Sequence, residues 1–430
     1  MSSAETAGKP PQQKRRSRYA YRGLIPLWIA VFVDILGFSI LIPFLPFFSQ
    51  AYGAPPWQVG LLLSTNALFS FFSGPTWGSL SDKYGRKPML LISQAGTLAG
   101  FVMLAFSRNL PMLFLSRIVD GIFGGNYPIA KAIIGDVVPP KDRSVEMSNI
   151  GVAHVLSSLI GPAVGGMLSR WGIMAPGLLS AGLTVITITV TLLYLRESNP
   201  VVATKGAMSE PGGTPGPAAP PKRPTATRLG ILRNPDARYL LIQWGLHTLS
   251  FSTYVSSISL FANLKLGLNA EQIGQLLMLA GMVRVFIRFV VFVPMRRRLG
   301  DRVTSLIGLS LFVGTYLFLG FVRNPVEFGI VLCLASFAAS CSRGILTSFL
   351  SRSVKPWEQG TTMGLSASLD SLAQITGPLI GGVVLGSLPH WVYGSIASAF
   401  ALGALLMGVR RLACHEQPAV ARLVEGELAV

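Results

Sequence analysis

Apolar runs long enough to cross a bilayer recur twelve times along the chain, at about 23–47, 57–80, 88–107, 111–138, 144–169, 172–195, 238–264, 271–295, 302–322, 325–353, 359–386 and 389–411. Roughly twenty residues at about 1.5 Å each match the ~30 Å hydrocarbon core. In that solvent every backbone N–H and C=O must be satisfied within the structure, which leaves helices or a closed barrel. The runs are continuous and lack the two-residue alternation of barrel strands, so they are read as helices. The expected fold is an all-α polytopic membrane protein of twelve transmembrane helices. A charged fraction of 13% fits, since a soluble domain carries roughly a quarter.

The net charge of +18 could point to nucleic acid, but its distribution points elsewhere. With the N-terminus placed in the cytoplasm, 27 of the 36 Lys and Arg fall on the inner side. Only Arg108, Arg170, Lys265 and Arg323 fall outside, and Arg117, Lys131, Arg284, Arg288 and Arg343 lie within the spans. This is the positive-inside asymmetry. It predicts a multi-pass protein of the plasma (inner) membrane with both termini cytoplasmic, and it gives a nucleic-acid partner no support. The basic stretch "KRRSRYAYR" could begin a signal peptide, but the apolar run after it is too long and lacks a small-residue cleavage site. Cys333, Cys341 and Cys414 have no metal-like spacing and read as packing residues.

The one long interruption, 196–237, contains "SEPGGTPGPAAPPKRPTATR". Such a composition cannot form a core and reads as a flexible cytoplasmic linker. The expected organisation is a basic tail (1–22), a six-helix bundle (23–195), the linker (196–237), a second six-helix bundle (238–411) and a cytoplasmic tail (412–430). The halves are related in sequence. "SNIGVAHVLSSLIGPAVGG" (148–166) aligns with "GLSASLDSLAQITGPLIGG" (364–382) at an offset of 216, and "WQVGLLL" (57–63) matches "EQIGQLL" (271–277) two positions away from it. Parallel six-helix repeats point to alternating access, with a site between the halves near the midplane.

Chemistry-bearing residues concentrate in the loop "GSLSDKYGRKPMLL" (78–91), where Asp82 with Arg86 and Lys87 can latch neighbouring helix ends. Gly78, Leu80, Asp82, Gly85, Arg86, Lys87 and Leu91 fall on the loop signature of the major facilitator superfamily, which the chain resembles, and "RRRLGDR" (296–302) reads as its degenerate copy. The closer resemblance, over nearly the whole chain apart from tails and linker, is to the twelve-span drug:proton antiporter branch, especially tetracycline/proton antiporters. "DILGFSILIPFLP" places Asp34 nine residues before Pro43, "RIVDGIFGG" carries Arg117 and Gly121, and Gly151 followed by "GPAVGG" (161–166) is similar to the antiporter motif. Ser157 stands where that motif has its middle glycine. The resemblance implies two pseudo-symmetric bundles of the major facilitator fold. It gives Arg117 a part in proton handling and pairs Asp136 with Arg86 at an inner gate. Gly161 and Pro162 would permit a bend or close approach.

Intramembrane charges cost several kcal/mol unless they face a cavity or a partner. Asp34, if its pKa is raised by burial, can exchange a proton. Arg117 and Asp120, three apart, share a helix face. His154 and Asp370 occupy equivalent repeat positions, where a pseudo-two-fold could bring them face to face. In "QLLMLAGMVRVFIRFVVFVP" (275–294), Arg288 lies roughly 12 Å and Arg284 roughly 18 Å inside the basic cluster at Arg296. Arg343 is similarly deep. Deep cations outnumber deep acids, and an arginine fork suits a carboxylate. The expected roles are substrate binding for Arg284, Arg343, Arg288 and His247, proton coupling for Asp34, Arg117, His154 and Asp370, and gating for Gly78, Asp82, Gly85, Arg86, Lys87, Asp136, Gly161 and Pro162.

The expected function is proton-coupled secondary transport, as an exporter of a small organic molecule with an organic anion favoured. The alternatives are a proton- or anion-coupled symporter importing a metabolite, and a non-transporting receptor or scaffold. No nucleotide-binding loop, nucleophile–base pair or metal cluster is visible, so neither an enzyme nor a cofactor is expected; the proton gradient would supply the drive. The expected partners are the substrate, protons and the lipid bilayer, with the protein monomeric.

Overall fold

Every apolar run becomes a helix. The computed structural model describes residues 24–139, 142–199, 228–355 and 358–427, with side chains at 143–145, 147–151, 154–155, 228–229, 288–289 and 411–427 outside the description. The helices, numbered by span, are α1 (Ile25–Ala51), α2 (Pro56–Tyr84), α3 (Arg86–Ala105), α4 (Leu110–Ile122 continuing as Asn126–Val137), α5 (Arg143–Ser169), α6 (Met174–Tyr194), α7 (Pro235–Leu266), α8 (Ala270–Ile287), α9 (Val293–Leu319), α10 (Pro325–Arg352), α11 (Gln359–Ser387) and α12 (His390–Glu427). Among the described residues there is no strand. α1–α6 and α7–α12 form two bundles.

Three local departures from the run-based reading have identifiable causes. α4 breaks at Phe123–Gly125, and the carbonyls freed there are taken by α2 and α3: Ser73 donates to Gly121 O, Trp77 Nε1 to Ile122 O, and Ser93 to Phe123 O. A second break comes in α8, which passes into a π-helical turn at Arg288–Phe292 and on into α9, with Gly300 at φ 77° marking the corner between spans. The regular rise used to gauge the depth of Arg284 from Arg296 therefore does not hold across that stretch. The third departure is in the linker, whose end is not featureless. A short helix, Arg228–Arg233, precedes α7, and its Ile231 is buried with Leu240, Leu241, Leu350 and Val354. Asn234 then caps α7 through its side chain, with Pro235 in the first helical position.

The bundles meet on the far side. Gly60 of α2 stacks on Gly382 of α11, and Gly166 of α5 on Gly274 of α8. A Cβ at Gly60 would lie 2.4 Å from Pro378 O, and one at Gly166 2.8 Å from Gly274 Cα. These four glycines come from the sequence stretches that betray the repeat, so the internal homology falls on the pseudo-two-fold seal. Ser64 adds a cross-bundle hydrogen bond to Ile375 O at 2.6 Å. The largest apolar core is shared by both bundles at this far side and includes Leu41, Val59, Leu62, Tyr254, Phe261 and Val384. Toward the linker the cores separate, one around Leu27, Trp77 and Ile133 and others around Leu240, Trp244 and Ile345. Among the described residues the bundles share a core on the far side and keep separate cores toward the linker, an arrangement sealed on the far side and open toward the linker.

Candidate functional site

Around the opening, the α2–α3 corner is held by one arginine. Gly85 at φ 105° turns the chain, a conformation that L side chains rarely adopt, so glycine is required. Arg86 then reaches Asp82 at 2.6 Å, Asp136 of α4 at 2.9 Å and Ser81 Oγ at 2.7 Å. The predicted Arg86–Asp136 pair is present, within one bundle. Lys87 Nζ donates to Leu192 O.

Glu197 belongs to the same cluster and falls inside the stretch read as linker. Its carboxylate accepts from the backbone N–H of Arg86 at 2.8 Å and of Lys87 at 3.1 Å, capping the positive end of α3. Asn199 ties the same strap to Asp82 O at 2.7 Å. Residues 196–199 are thus part of the N-terminal bundle. Glu197 is isolated in sequence from the loop it completes, and only the fold brings the two together.

The second half repeats this network with its charges reversed. Superposing the two positive-φ corners, Gly85 and Gly300, sets Asp301 against Arg86, and the 216 offset sets Arg352 against Asp136. Asp301 follows the Gly300 corner, pairs with Arg296 through two hydrogen bonds, and has Arg352 of α10 at 3.7 Å. "RRRLGDR" thus keeps the glycine corner of the first loop, with Asp301 between Arg296 and Arg352 where Arg86 stands between Asp82 and Asp136.

Deeper in the first bundle, Asp34 of α1 accepts a hydrogen bond from Asn126 Nδ2, whose Oδ1 accepts from Ser93 Oγ at 2.6 Å. Asn126 opens the second half of α4, so the break in that helix positions it. Asp34 Oδ1 is buried and accepts no hydrogen bond among the described residues. Arg117 and Asp120 pair at 3.2 Å, as their spacing predicts, and Asn66 donates to Asp120 at 2.8 Å. Arg117 is 0% exposed, its guanidinium 5.7 Å from the Phe101 ring. Arg117→Ala would leave Asp120 buried without its cation, and we expect a loss of about 3–5 kcal/mol in unfolding experiments. Equal stability of variant and parent would show that the pair contributes nothing.

In the second bundle Arg343 of α10 lies 3.5 Å from Asp370 of α11, over the rings of Trp244 and Phe251 of α7. Thr248 donates to Asp370 at 2.6 Å. The Arg343 side chain is 42% exposed, so the pair is accessible within the span region. Asp370 thus has its partners in its own bundle. Across the interface α5 packs on α8, and α11 on α2. The His154 side chain lies outside the described residues, as does that of Arg288.

His247 is 2% exposed and packs between Trp244 and Phe312 of α9, turned into the bundle rather than toward the opening. That placement removes it from the substrate-facing set. Arg284 is half-buried one turn after Gly281, which abuts Leu159 of α5 across the seam. Gly161 and Gly165, flanking Pro162, press on Ser39 and Ile40 of α1, so this part of the motif serves packing within a bundle while Gly166 serves the seal.

A family model described as Major Facilitator Superfamily matches residues 27–297 and 290–422. Among curated proteins, "Tetracycline resistance protein, class H" of Pasteurella multocida is 25% identical over 375 residues, covering 86% of this chain and 91% of that one. "Multi-drug resistance efflux pump PmrA homolog" of Lactococcus lactis is 28% identical over 386 residues, covering 86% and 89%. Among solved structures, the human organic anion transporter MFSD10 (TETRAN) superposes with a TM-score of 0.64 at 23% identity, covering 91% of this chain and 99% of that one, a likeness of fold.

Proposed function

The chain belongs to the major facilitator superfamily, and from that premise we propose that it is a proton-driven exporter of small organic molecules working by alternating access. The observation that carries the reading is Asp34, a mid-span carboxylate with one oxygen hydrogen-bonded to Asn126 and the other without a hydrogen-bond partner among the described residues. Such a group can gain and lose a proton without dismantling an ion pair. The names of the curated relatives, tetracycline and multidrug resistance proteins, support efflux as the direction. With the basic loops cytoplasmic, the open side faces the cytoplasm and is the loading state for export from an inner membrane. In the opposite state the Arg86 and Asp301 corners would close over the linker side, and the separate cores there would come together.

For the substrate we propose a molecule with an aromatic or apolar body and an anionic group. Arg343 supplies the fork and Trp244 and Phe251 the apolar surface, while Asp370 occupies the position a substrate carboxylate would take. Arg284, beside the seam, is a second cation for the same role.

The Arg343–Asp370 pair also favours a second reading. If Asp370 carried the proton, protonation would free Arg343 for an anion, so proton and anion would bind together and move in the same direction. That is symport. If Asp34 carries it, away from the substrate's arginine, exchange is the natural outcome. The discriminating measurement is the internal pH of proteoliposomes loaded with an anionic substrate and diluted into substrate-free buffer. Antiport acidifies the interior as substrate leaves and symport alkalinises it. Arg343→Gln should lower transport of the anion about tenfold or more, the equivalent of one charge-assisted contact, while sparing neutral substrates. An unchanged anion rate in that variant removes the substrate assignment.

A further inference from the structure

We propose that the second bundle carries a binding site for an anionic phospholipid at the α8–α9 corner, with the phosphate held by Arg302 and Arg352 and one acyl chain laid along α9. Two adjoining hollows carry the inference. The first is a polar cleft of about 620 Å³ at the linker-side membrane boundary, lined by Gly300, Asp301, Arg302, Arg352 and, from α7, Gln243. The second is an apolar groove of about 500 Å³ running along α9 to Gly314 and Phe318, with Leu334 of α10 on its flank. They share Val303 and Leu306, so head-group cleft and groove adjoin at these two side chains.

The charge inversion at this corner makes the cleft cationic. Asp301 is already engaged by Arg296 through two hydrogen bonds. Arg352 touches it only at 3.7 Å and keeps a side chain 66% exposed. Arg302 is exposed, and among the described residues no carboxylate lies within 4 Å of it. Two guanidinium groups with donors to spare therefore face a cleft whose single acid is spoken for. At the corresponding corner of the first bundle, Arg86 is held between Asp82 and Asp136.

The groove fits an acyl chain in length and chemistry. From Val303 to Phe318 the helix advances roughly 22 Å, more than the ~15 Å of one leaflet. A glycine at its floor, Gly314, has nothing within 4 Å of a built Cβ, so the space there is open. A free phosphate would use the cleft and ignore the groove, whereas a zwitterionic lipid would use the groove and gain little from the arginines. An anionic phospholipid uses both, and the cytoplasmic leaflet, which positive-inside topology assigns to this side, is the one rich in such head groups.

The test uses full-length purified protein in detergent, titrated with phosphatidylglycerol, with phosphatidylcholine of the same chains, and with inorganic phosphate. Thermal stability and native mass spectrometry are the readouts. Phosphatidylglycerol should raise the melting temperature and stay bound, and the other two should do neither. Arg302→Gln should weaken its apparent affinity about fivefold, the effect of one basic residue at an anionic surface. Gly314→Leu, which fills the groove from an open position, should weaken it as well without lowering the melting temperature of the lipid-free protein. Equal stabilisation by phosphatidylcholine, full reproduction by phosphate, or an unaltered response in either variant would overturn the proposal.

Discussion

Asp34→Asn is expected to abolish proton-driven accumulation of substrate while leaving exchange down the substrate's own gradient intact. The amide has the size of the carboxylate, and its oxygen can still accept from Asn126 Nδ2. What is lost is the proton site. The new N–H group would occupy the position of the bare Oδ1 and cost roughly 1–3 kcal/mol if it finds no acceptor there. For that reason the comparison needs a binding measurement alongside, in which affinity should change by less than about tenfold. Asp120, also buried in this bundle, cannot substitute, because it is committed to Arg117 and Asn66. Retained uphill transport in the variant would place the proton elsewhere, with Asp370 the next group to examine.

Gly60→Ala should shift the conformational equilibrium away from the linker-open state by about 5- to 150-fold. Its Cβ would meet Pro378 O at 2.4 Å and Gly382 Cα at 3.1 Å, both backbone atoms that no rotamer change can move. Overpacking of this kind costs about 1–3 kcal/mol, and here only the far-sealed state bears the cost. Gly182→Ala, at a position with nothing within 4 Å, is the control. If the two variants transport alike, the glycine stack is dispensable to the seal.

The twelve spans were legible because hydrocarbon leaves a chain few options, and the run lengths state the answer directly. The repeat was legible too, and it located the seal, since Gly60, Gly166, Gly274 and Gly382 all lie in the matching stretches. Pairs close in sequence or implied by the loop motif, Arg117 with Asp120 and Arg86 with Asp136, were within reach. Other features were hidden for physical reasons. A membrane helix is apolar on both its lipid face and its core face, so nothing in α7 says that His247 turns toward Phe312 while Thr248 turns toward Asp370. Glu197 caps α3 from beyond the end of α6, across a distance in sequence that no local pattern bridges. The π turn at Arg288–Phe292 has no composition that sets it apart from the α-helix around it. Charge inversion at Asp301 escapes a motif search, which scores identity and not complementarity.

The account's central claim is that the far-side seal and the linker-side opening exchange places. It is tested most directly by two distances measured between spin labels on a background lacking Cys333, Cys341 and Cys414. One pair, Gly78→Cys with Gly364→Cys, spans the opening at positions with free space. The other, Trp57→Cys with Leu388→Cys, spans the seal at exposed positions. The prediction is two populations on each side, long with short and short with long, whose proportions move in opposite directions with substrate and pH. A single distance on each side, fixed under every condition, or both distances lengthening together, would contradict it.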